Sequence, residues 1–551
     1  ERLGKVCKEL VFNFIFEVIM MRYAFLVMAF LLVGNISKGP VWGCSLLVSN
    51  RNVPDGEAFD YINHFLRRRG PDLTSRMETH RNFTLVHNLL SMTGTGHTEQ
   101  PFVSGDGQVL VLFHGEIYNF RDFGEFNSDG ECLLPLYYRY GNASFVRELD
   151  GEFAIVVLDF RRGGLVIYST DIFGTKSLLV AAAGTDFGVS TYRTALERLG
   201  HENVEEVPPN SVFTRSLRPP FAVLGRERVY EFDLTQFKTT TRAWRSAFVR
   251  AVEKRVANVK HGVMLPLSAG YDSGAIALAL RELDVSFLTM TMGTENRTTM
   301  ARRMDYLRGV AYPLEVSADE ATARREAAYL PVFAEPFNTS LGLSDRRYCL
   351  RDDSDEIRPG GRPYSLLIDK ACPLMSLIAR HARRERALVL LSGAGADEII
   401  SDYGYGGMAM HDSSCLRGVF PENLTDVWPW SNVFKGTQYA YLHKEEQVAG
   451  SHGVETRYPF LDRNVVQEYL WLAASVKNRE YKGVMDEWFR DEAYPYFRGK
   501  QGFGYNFNTR INHEVFNSAK VVSKENVSNQ RKSRAGGRSA GGRSAGGRSA
   551  G

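Results

Sequence analysis

The chain has 551 residues, 44% hydrophobic and 24% charged, a composition that supports two or three globular domains with a large core. Its formal net charge of +3 gives no electrostatic case for nucleic-acid binding. The six cysteines (Cys7, Cys44, Cys132, Cys349, Cys372 and Cys415) form no CxxC pair, which argues against structural zinc and against a disulfide-dense scaffold.

In chain order, residues 1–43 read as a leader. From Met21, Arg22 is followed by the apolar run "YAFLVMAFLLVG", the pattern of a signal peptide. The run is short for a membrane span; with "VFNFIFEVIM" ahead of it, a longer anchor is the alternative, as is an artefact. The expected location is the secretory pathway or outside the cell, or cytoplasmic or organellar if the leader is an artefact. Any membrane association would come through the leader alone. Six N-x-S/T sequons, at Asn82, Asn142, Asn296, Asn338, Asn423 and Asn526, fit a secretory route.

Residues 44–215 alternate short apolar strands with turns: "VLVLF" at 109–113, "FAIVVLDF" at 153–160 and "GLVIYST" at 164–170. Helices are few, expected at 57–68 and 130–140, so the segment predicts stacked antiparallel sheets. Residues 216–240, with "RPP" at 218–220, read as a linker. The pattern then changes. "TRAWRSAFVRAVEKRVANV" has helical spacing, followed by strand 263–267, helix 274–283, strand 286–292, a helix near 298–307 and a strand near 310–316. Such alternation predicts a parallel, doubly wound sheet over 241–515. The tail, 516–551, ends in repeats of GGRSA that cannot build a core and should be disordered.

The chemistry of the second domain begins at "LSAGYDSG", where a strand passes through small residues straight into a helix. Backbone N–H groups and a helix N-terminus suit an anion there. Ser268 and Ser273 add hydroxyl donors, and Asp272 can hold Mg²⁺ beside a phosphate. A GK[ST] ending is missing, so this is not a Walker A loop. "LVLLSGAGADEIISDYG" (388–404) repeats the strand, turn and helix start, with Asp397 and Glu398 at the junction. Two strand ends that each present an aspartate beside a glycine turn make a two-Asp Mg²⁺–pyrophosphate site possible. "GVETRYPFLD" (453–462) and "FRGKQGFGYN" (497–506) follow, with Lys500 between glycines.

These four motifs in this order resemble the synthetase domain of asparagine synthetases and the related β-lactam synthetases. The resemblance implies a doubly wound ATP-pyrophosphatase domain that uses ATP and Mg²⁺ to activate a carboxylate as acyl-AMP, which a nitrogen nucleophile then attacks. Carried over, the ATP and pyrophosphate site is Leu267, Ser268, Gly270, Asp272, Ser273, Ser392 and Gly393. Asp272 and Asp397 are the metal ligands and Lys500 the catalytic lysine. Glu335, in "FAEPFN", falls where the family has a carboxylate that shapes the acceptor site or aids nitrogen attack. Ala269 replaces the usual second glycine of the loop. The charged stretch 340–372 reads as an insertion beside the acceptor pocket and puts aspartate as acceptor in question.

In the first domain, a cysteine with a free α-amino group is a compact catalyst. The amine titrates near roughly 7.7–8.0 and can serve as base toward its own thiol. "CS" at 44–45, "RRRGPD" at 67–72, "EQP" at 99–101, "HGEIYN" at 114–119, "SDGE" at 128–131 and "DIFGTKSL" at 171–178 resemble the glutamine amidotransferase of the same family. That implies an N-terminal-nucleophile αββα sandwich over 44–215. It also implies Cys44 as nucleophile, an oxyanion hole at His114 and Gly115, and Glu116 and Asp129 as holders of glutamine. Two positions depart. His114 stands in place of an asparagine, and Leu89 in place of the arginine for the glutamine carboxylate. Arg67, Arg68 or Arg69 are the candidates to compensate.

The leading expectation is therefore a ligase that takes nitrogen from glutamine or ammonia and joins it to a carboxylate such as aspartate or an analogue, with homodimerisation possible. One alternative is β-lactam-synthetase-like intramolecular closure with an inactive first domain; another is a secreted pseudoenzyme that acts by binding. A free amine on Cys44 requires removal of residues 1–43, so cleavage between Gly43 and Cys44 is expected.

Overall fold

A computed structural model of the chain describes residues 44–498 except 71, 80–81, 95–97, 292–294, 315–318, 342–361, 367–368, 370, 403–415 and 417. Residues 1–43, where a leader is expected, the 516–551 tail, Lys500 and most of the charged stretch 340–372 lie outside the described residues.

Twelve strands build the first domain. One sheet has the order β10-β8-β9-β1-β3-β2, from Glu205–Glu206, Leu179–Ala183, Asp186–Ser190, Ser45–Ser49, Thr84–Leu89 and Leu73–Glu78. The other has the order β12-β11-β7-β6-β5-β4, from Val223–Arg228, Ser211–Ser216, Leu165–Thr170, Gly151–Asp159, Val109–Ile117 and Phe102–Val103. Every pairing in both is antiparallel. Alternation along each strand decides which side chain goes where. Leu46 and Val48 of β1 pack against Leu110 and Leu112 of β5 and Val156 and Leu158 of β6, which closes the two sheets face to face. Leu47 and Val86 point the other way, under Ile62, Phe65 and Leu66 from helices Glu57–Ile62 and His64–Arg69. Val111, Phe113, Ile155 and Val157 cover the far side of the second sheet beneath Leu133, Leu136 and Tyr137 of helix Leu133–Tyr140. The result is the expected sandwich of two sheets between helices.

Part of the expected linker belongs to this sandwich. Val223–Arg228 pairs with β11, because Pro219 and Pro220 turn the chain back beside the strand it has just left. Only the stretch after it crosses to the second domain. There it docks through the Phe237 and Lys238 N–H groups, both donating to the Trp471 carbonyl.

The second domain is a five-stranded parallel sheet, order β15-β14-β13-β18-β19, from Ala311–Pro313, Phe287–Met290, Val263–Pro266, Val389–Leu391 and Glu455–Arg457. A small antiparallel pair, β16 (Asn338–Leu341) with β17 (Arg362–Ser365), flanks the insertion. Strands buried on both faces read as continuous apolar runs, as "VML" and "VLL" do here. The helix Arg242–Val256 buries Trp244 and Phe248, the latter 4.5 Å from the Phe460 ring. Burial of each such side chain contributes about 1.5–3 kcal/mol. The topology places the C-terminal ends of β13 and β18, adjacent strands at the centre of the sheet, side by side. This is where an open parallel sheet binds ligands.

Candidate active sites in the two domains

At the end of β13 the loop folds on its own hydroxyls. The Ser268 N–H donates to Ser273 Oγ at 3.0 Å, the two hydroxyls meet at 2.9 Å, and the Gly270 N–H donates to Ser268 Oγ at 3.2 Å. Glu295 accepts from the Ala269 N–H at 2.8 Å. Gly270 caps the helix Tyr271–Glu282, so Asp272 stands in its first turn, where the helix dipole favours a negative charge. Leu267 is buried beneath and anchors the loop to β14 through the Met290 carbonyl.

The second loop, after β18, lies against the first. A Cβ built on Gly393 would stand 2.8 Å from the Asp272 Cβ, so the two loops touch where only glycine fits. Gly395, at φ +94°, turns the chain into a π-helical turn, Ala396–Ser401, that carries Asp397. The two sequence-expected aspartates are thus brought together. What joins them was not anticipated. The ammonium of Lys482 pairs with Asp272 and lies 2.9 Å from Asp397. Lys482 is 3% exposed, and the two carboxylates raise its pKa well above the ordinary value against the opposing effect of burial. Tyr481 donates a longer bond, 3.4 Å, to Asp397. Two carboxylates that converge on one cationic centre also suit Mg²⁺, which is usually held by one or two carboxylates plus substrate phosphates. No group of three or more His, Cys, Asp or Glu side chains able to hold a metal occurs among the described residues.

Arg303 is a second buried cation that the sequence did not reveal. Its guanidinium lies under Gly274, donates to the Ser268 and Pro495 carbonyls, and supports the first loop from below.

Glu335 sits elsewhere. Its carboxylate accepts from the Thr194 N–H at 2.7 Å, the Thr194 hydroxyl at 2.6 Å and the Arg193 N–H at 3.3 Å. It thereby caps a first-domain helix, Arg193–Arg198, and none of its described contacts reaches Asp272 or Asp397. Burial raises its pKa to about 7.

In the first domain Cys44 enters β1 at the edge of the core, 8% exposed. Its thiol donates to the Leu90 carbonyl at 3.4 Å and accepts from the Leu90 N–H at 3.1 Å. Burial pushes the thiol pKa up, and the charges of Glu455, Glu116 and Asp129 add to that. Gly115 has φ +121°, and a Cβ there would stand 1.9 Å from the Glu152 carbonyl oxygen, so the turn of backbone in β5 requires glycine. Asp129 accepts from the Ile117 N–H at 2.8 Å and is raised to about 6 by burial. His114 is buried and kept neutral by that burial and by Arg69 and Lys176 nearby.

Leu89 lies in the same apolar cluster as Cys44, and no arginine of the "RRR" run replaces the missing one. Arg67 pairs with Asp60, Arg68 lies over the Phe333 ring and Arg69 pairs with Glu446.

Glu446 introduces the interface between the domains, the largest feature the sequence reading missed. It sits on helix Gly436–Gly450 and binds Arg69 and Lys176, the latter at 2.9 Å. Arg255 links Glu152 (2.8 Å) to Asp462 (2.9 Å). Arg457 pairs with Glu455 and with Glu116, each at 2.8 Å. All of these are buried. Glu455, Arg457 and Asp462 belong to "GVETRYPFLD", so that motif forms the seam between the domains. The only signal in the sequence was that three charged residues stood in apolar company.

Comparison with known proteins finds two family models along the chain. The family described as "Asparagine synthase" matches residues 243–425 and 430–536, and the "Glutamine amidotransferase domain" family matches 43–227. A probable asparagine synthetase (glutamine-hydrolyzing) of Schizosaccharomyces pombe is 27% identical over 448 residues, 77% of this chain and 75% of that one. Asparagine synthetases (glutamine-hydrolyzing) 1 and 2 of Arabidopsis thaliana are 25% and 26% identical. They cover 86% and 85% of this chain, which spans 79% and 81% of theirs.

Proposed function

Because the chain belongs to the asparagine synthase family, in which it is an amide-forming ligase with a glutamine amidotransferase domain, we propose that it activates a carboxylate by adenylation. ATP and the carboxylate, aspartate or an analogue, would react on the second domain to give acyl-AMP and pyrophosphate. Nitrogen from glutamine or ammonia then displaces AMP. The observation that carries this reading is the meeting of Asp272 and Asp397 on Lys482 between two small-residue loops. The loop hydroxyls of Ser268 and Ser273 and the ammonium of Lys482 would hold the pyrophosphate oxygens as charge develops on them. Asp272 and Asp397 would hold Mg²⁺, which when bound neutralises the leaving pyrophosphate. Lys500 is assigned a role at the same centre from the resemblance alone.

In the first domain Cys44 would attack the glutamine amide, with its own α-amine as base once the bond to Gly43 is cut. The leader would then serve both export and activation. Gly115 would supply an oxyanion N–H, and neutral His114 a further donor.

The test is pyrophosphate release from ATP across candidate carboxylates, with glutamine or ammonia as nitrogen source. Release that depends on one carboxylate and yields its amide is expected; no release with any carboxylate sinks the reading. Glutamate formation from glutamine by protein that begins at Cys44 tests the first domain separately. The apolar surroundings of Leu89 favour a second reading, in which the first domain is inactive and closure is intramolecular. In that case pyrophosphate release ignores both glutamine and ammonia.

A further inference from the structure

Arg303, on helix Arg297–Tyr306, is fully buried, and no carboxylate lies within ion-pair distance of it among the described residues. Its Nε donates to the Pro495 carbonyl at 2.7 Å and its Nη1 to the Ser268 carbonyl. Its Nη2 has no hydrogen-bond partner among the described residues. The Tyr494 and Phe489 rings lie 4.8 and 5.9 Å from the guanidinium carbon. Glu295 and Asp272 act on it only from beyond ion-pair distance. The guanidinium also lies against Gly274, in the first turn of helix Tyr271–Glu282, where a Cβ would come 2.5 Å from Nη2. A helix N-terminus is already electropositive, so this cation adds to the potential there instead of offsetting it. An unpaired buried charge is costly, and an anion on the loop above would offset that cost.

The Ser268–Ala269 peptide connects the cation to that anion. In a trans peptide the C=O and N–H point in opposite directions. Arg303 holds the Ser268 carbonyl on its own side of the loop, so the Ala269 N–H faces away from it. There it donates to the Glu295 carboxylate at 2.8 Å. Glu295 is partly exposed and lies between β14 and the helix of Arg303. The Ser268 and Gly270 N–H groups, by contrast, donate to the loop's own hydroxyls. A carboxylate from outside the loop, seated on a backbone N–H beside a helix N-terminus, stands where an oxygen of a phosphate would stand. We infer that Arg303 is a positioning residue for pyrophosphate and Glu295 its internal stand-in. Arg303 turns the Ala269 N–H toward the anion and supplies the buried counter-charge beneath it. The incoming phosphate displaces Glu295 from that N–H. Neither residue belongs to any of the four motifs.

This role rests on the adenylation reading, and binding measurements separate the two. The full chain is titrated with inorganic pyrophosphate and Mg²⁺ in a calorimeter, at a temperature where each protein is folded. Arg303→Met is expected to weaken binding by about tenfold or more, the scale of a lost interaction with a charged group. Glu295→Gln removes the competing negative charge and is expected to tighten binding by about threefold or more. Arg303→Lys keeps the charge without the planar fork and should fall between wild type and R303M. The opposite signs are the signature of the role. Loss of a merely structural contact would lower the melting temperature of the ligand-free protein and leave the affinity of the folded protein unchanged. If R303M does not fold, R303K and E295Q decide. Wild-type affinity in the Arg303 variants, or an E295Q protein that binds no more tightly than wild type, overturns the role. Wild-type protein that binds neither pyrophosphate nor ATP overturns the adenylation reading and this role with it.

Discussion

Arg457 of the synthetase domain pairs with Glu116 of the amidotransferase domain at 2.8 Å, and both are buried. Glu116 is one of the groups expected to hold glutamine, and its counter-charge comes from the second domain. Burial drives the Glu116 carboxyl well up, and Arg457 is the largest effect pulling it down. Removal of one partner from such a pair leaves an uncompensated charge, at about 3–5 kcal/mol. Arg457→Ala should therefore lower the melting temperature by on the order of 10 °C. It should also reduce glutamine-dependent product formation more than ammonia-dependent formation. A melting temperature within 2–3 °C of wild type, roughly what 1 kcal/mol would produce, would show that the pair is not coupled to stability.

Lys482 makes a different prediction, because its loss leaves two aspartates facing one another. Lys482→Met should cut pyrophosphate release by roughly 100-fold or more, the scale set by loss of one preorganised donor to a developing charge. Lys482→Arg keeps the charge but cannot place a compact ammonium between two carboxylates, so it should recover only part of the rate. Steady-state assays of the three proteins at saturating ATP decide it, and unchanged release in K482M would remove Lys482 from the site.

Lys482 also shows where sequence reading stops. Alternating strands and the strand–helix rhythm made both folds legible, because periodicity depends only on neighbours in the chain. Asp272 and Asp397 were legible because each follows an apolar strand through small residues into a helical turn. Lys482 has no such local mark: it precedes an ordinary helix, Gly483–Asp491, and reaches the site only through tertiary packing. The pairing of Arg69 and Lys176 with Glu446 escaped for the same reason, since a charge far along the chain from its partner looks like surface. Val223–Arg228 was read as linker because an exposed edge strand has no apolar alternation to reveal it.

Glu335 gives the interface a pH dependence. Its carboxyl titrates at about 7 in the folded protein against an ordinary value of 4.5, chiefly through burial. Between those values the folded protein holds a proton that the unfolded chain has released. The stabilisation is therefore fully present below about 4.5 and is lost as the pH rises through about 7. The loss is on the order of 3 kcal/mol. Glu335→Gln cannot ionise, so melting curves should show wild type losing stability relative to E335Q between pH 5 and 8. Parallel curves for the two proteins would sink the assignment.

The last prediction concerns the contact between the two loops. A Cβ on Gly393 would come within 2.8 Å of the Asp272 Cβ, closer than packed carbon atoms allow. The obstacle is the first carbon of a side chain on a helix turn, which cannot swing aside as a long side chain would. Either the second loop or the first turn of helix Tyr271–Glu282 must move, and Asp272 and Asp397 then separate. Gly393→Ala should destabilise the second domain by about 1–3 kcal/mol, the usual cost of overpacking. It should lower pyrophosphate release far more than that loss of folded protein explains, because a shift of about 1 Å at reacting groups costs on the order of 100-fold. Gly225→Ala is the control, since nothing lies within 4 Å of a Cβ at that position. If both variants release pyrophosphate at the wild-type rate, the spacing of the two loops does not set the activity of the second domain.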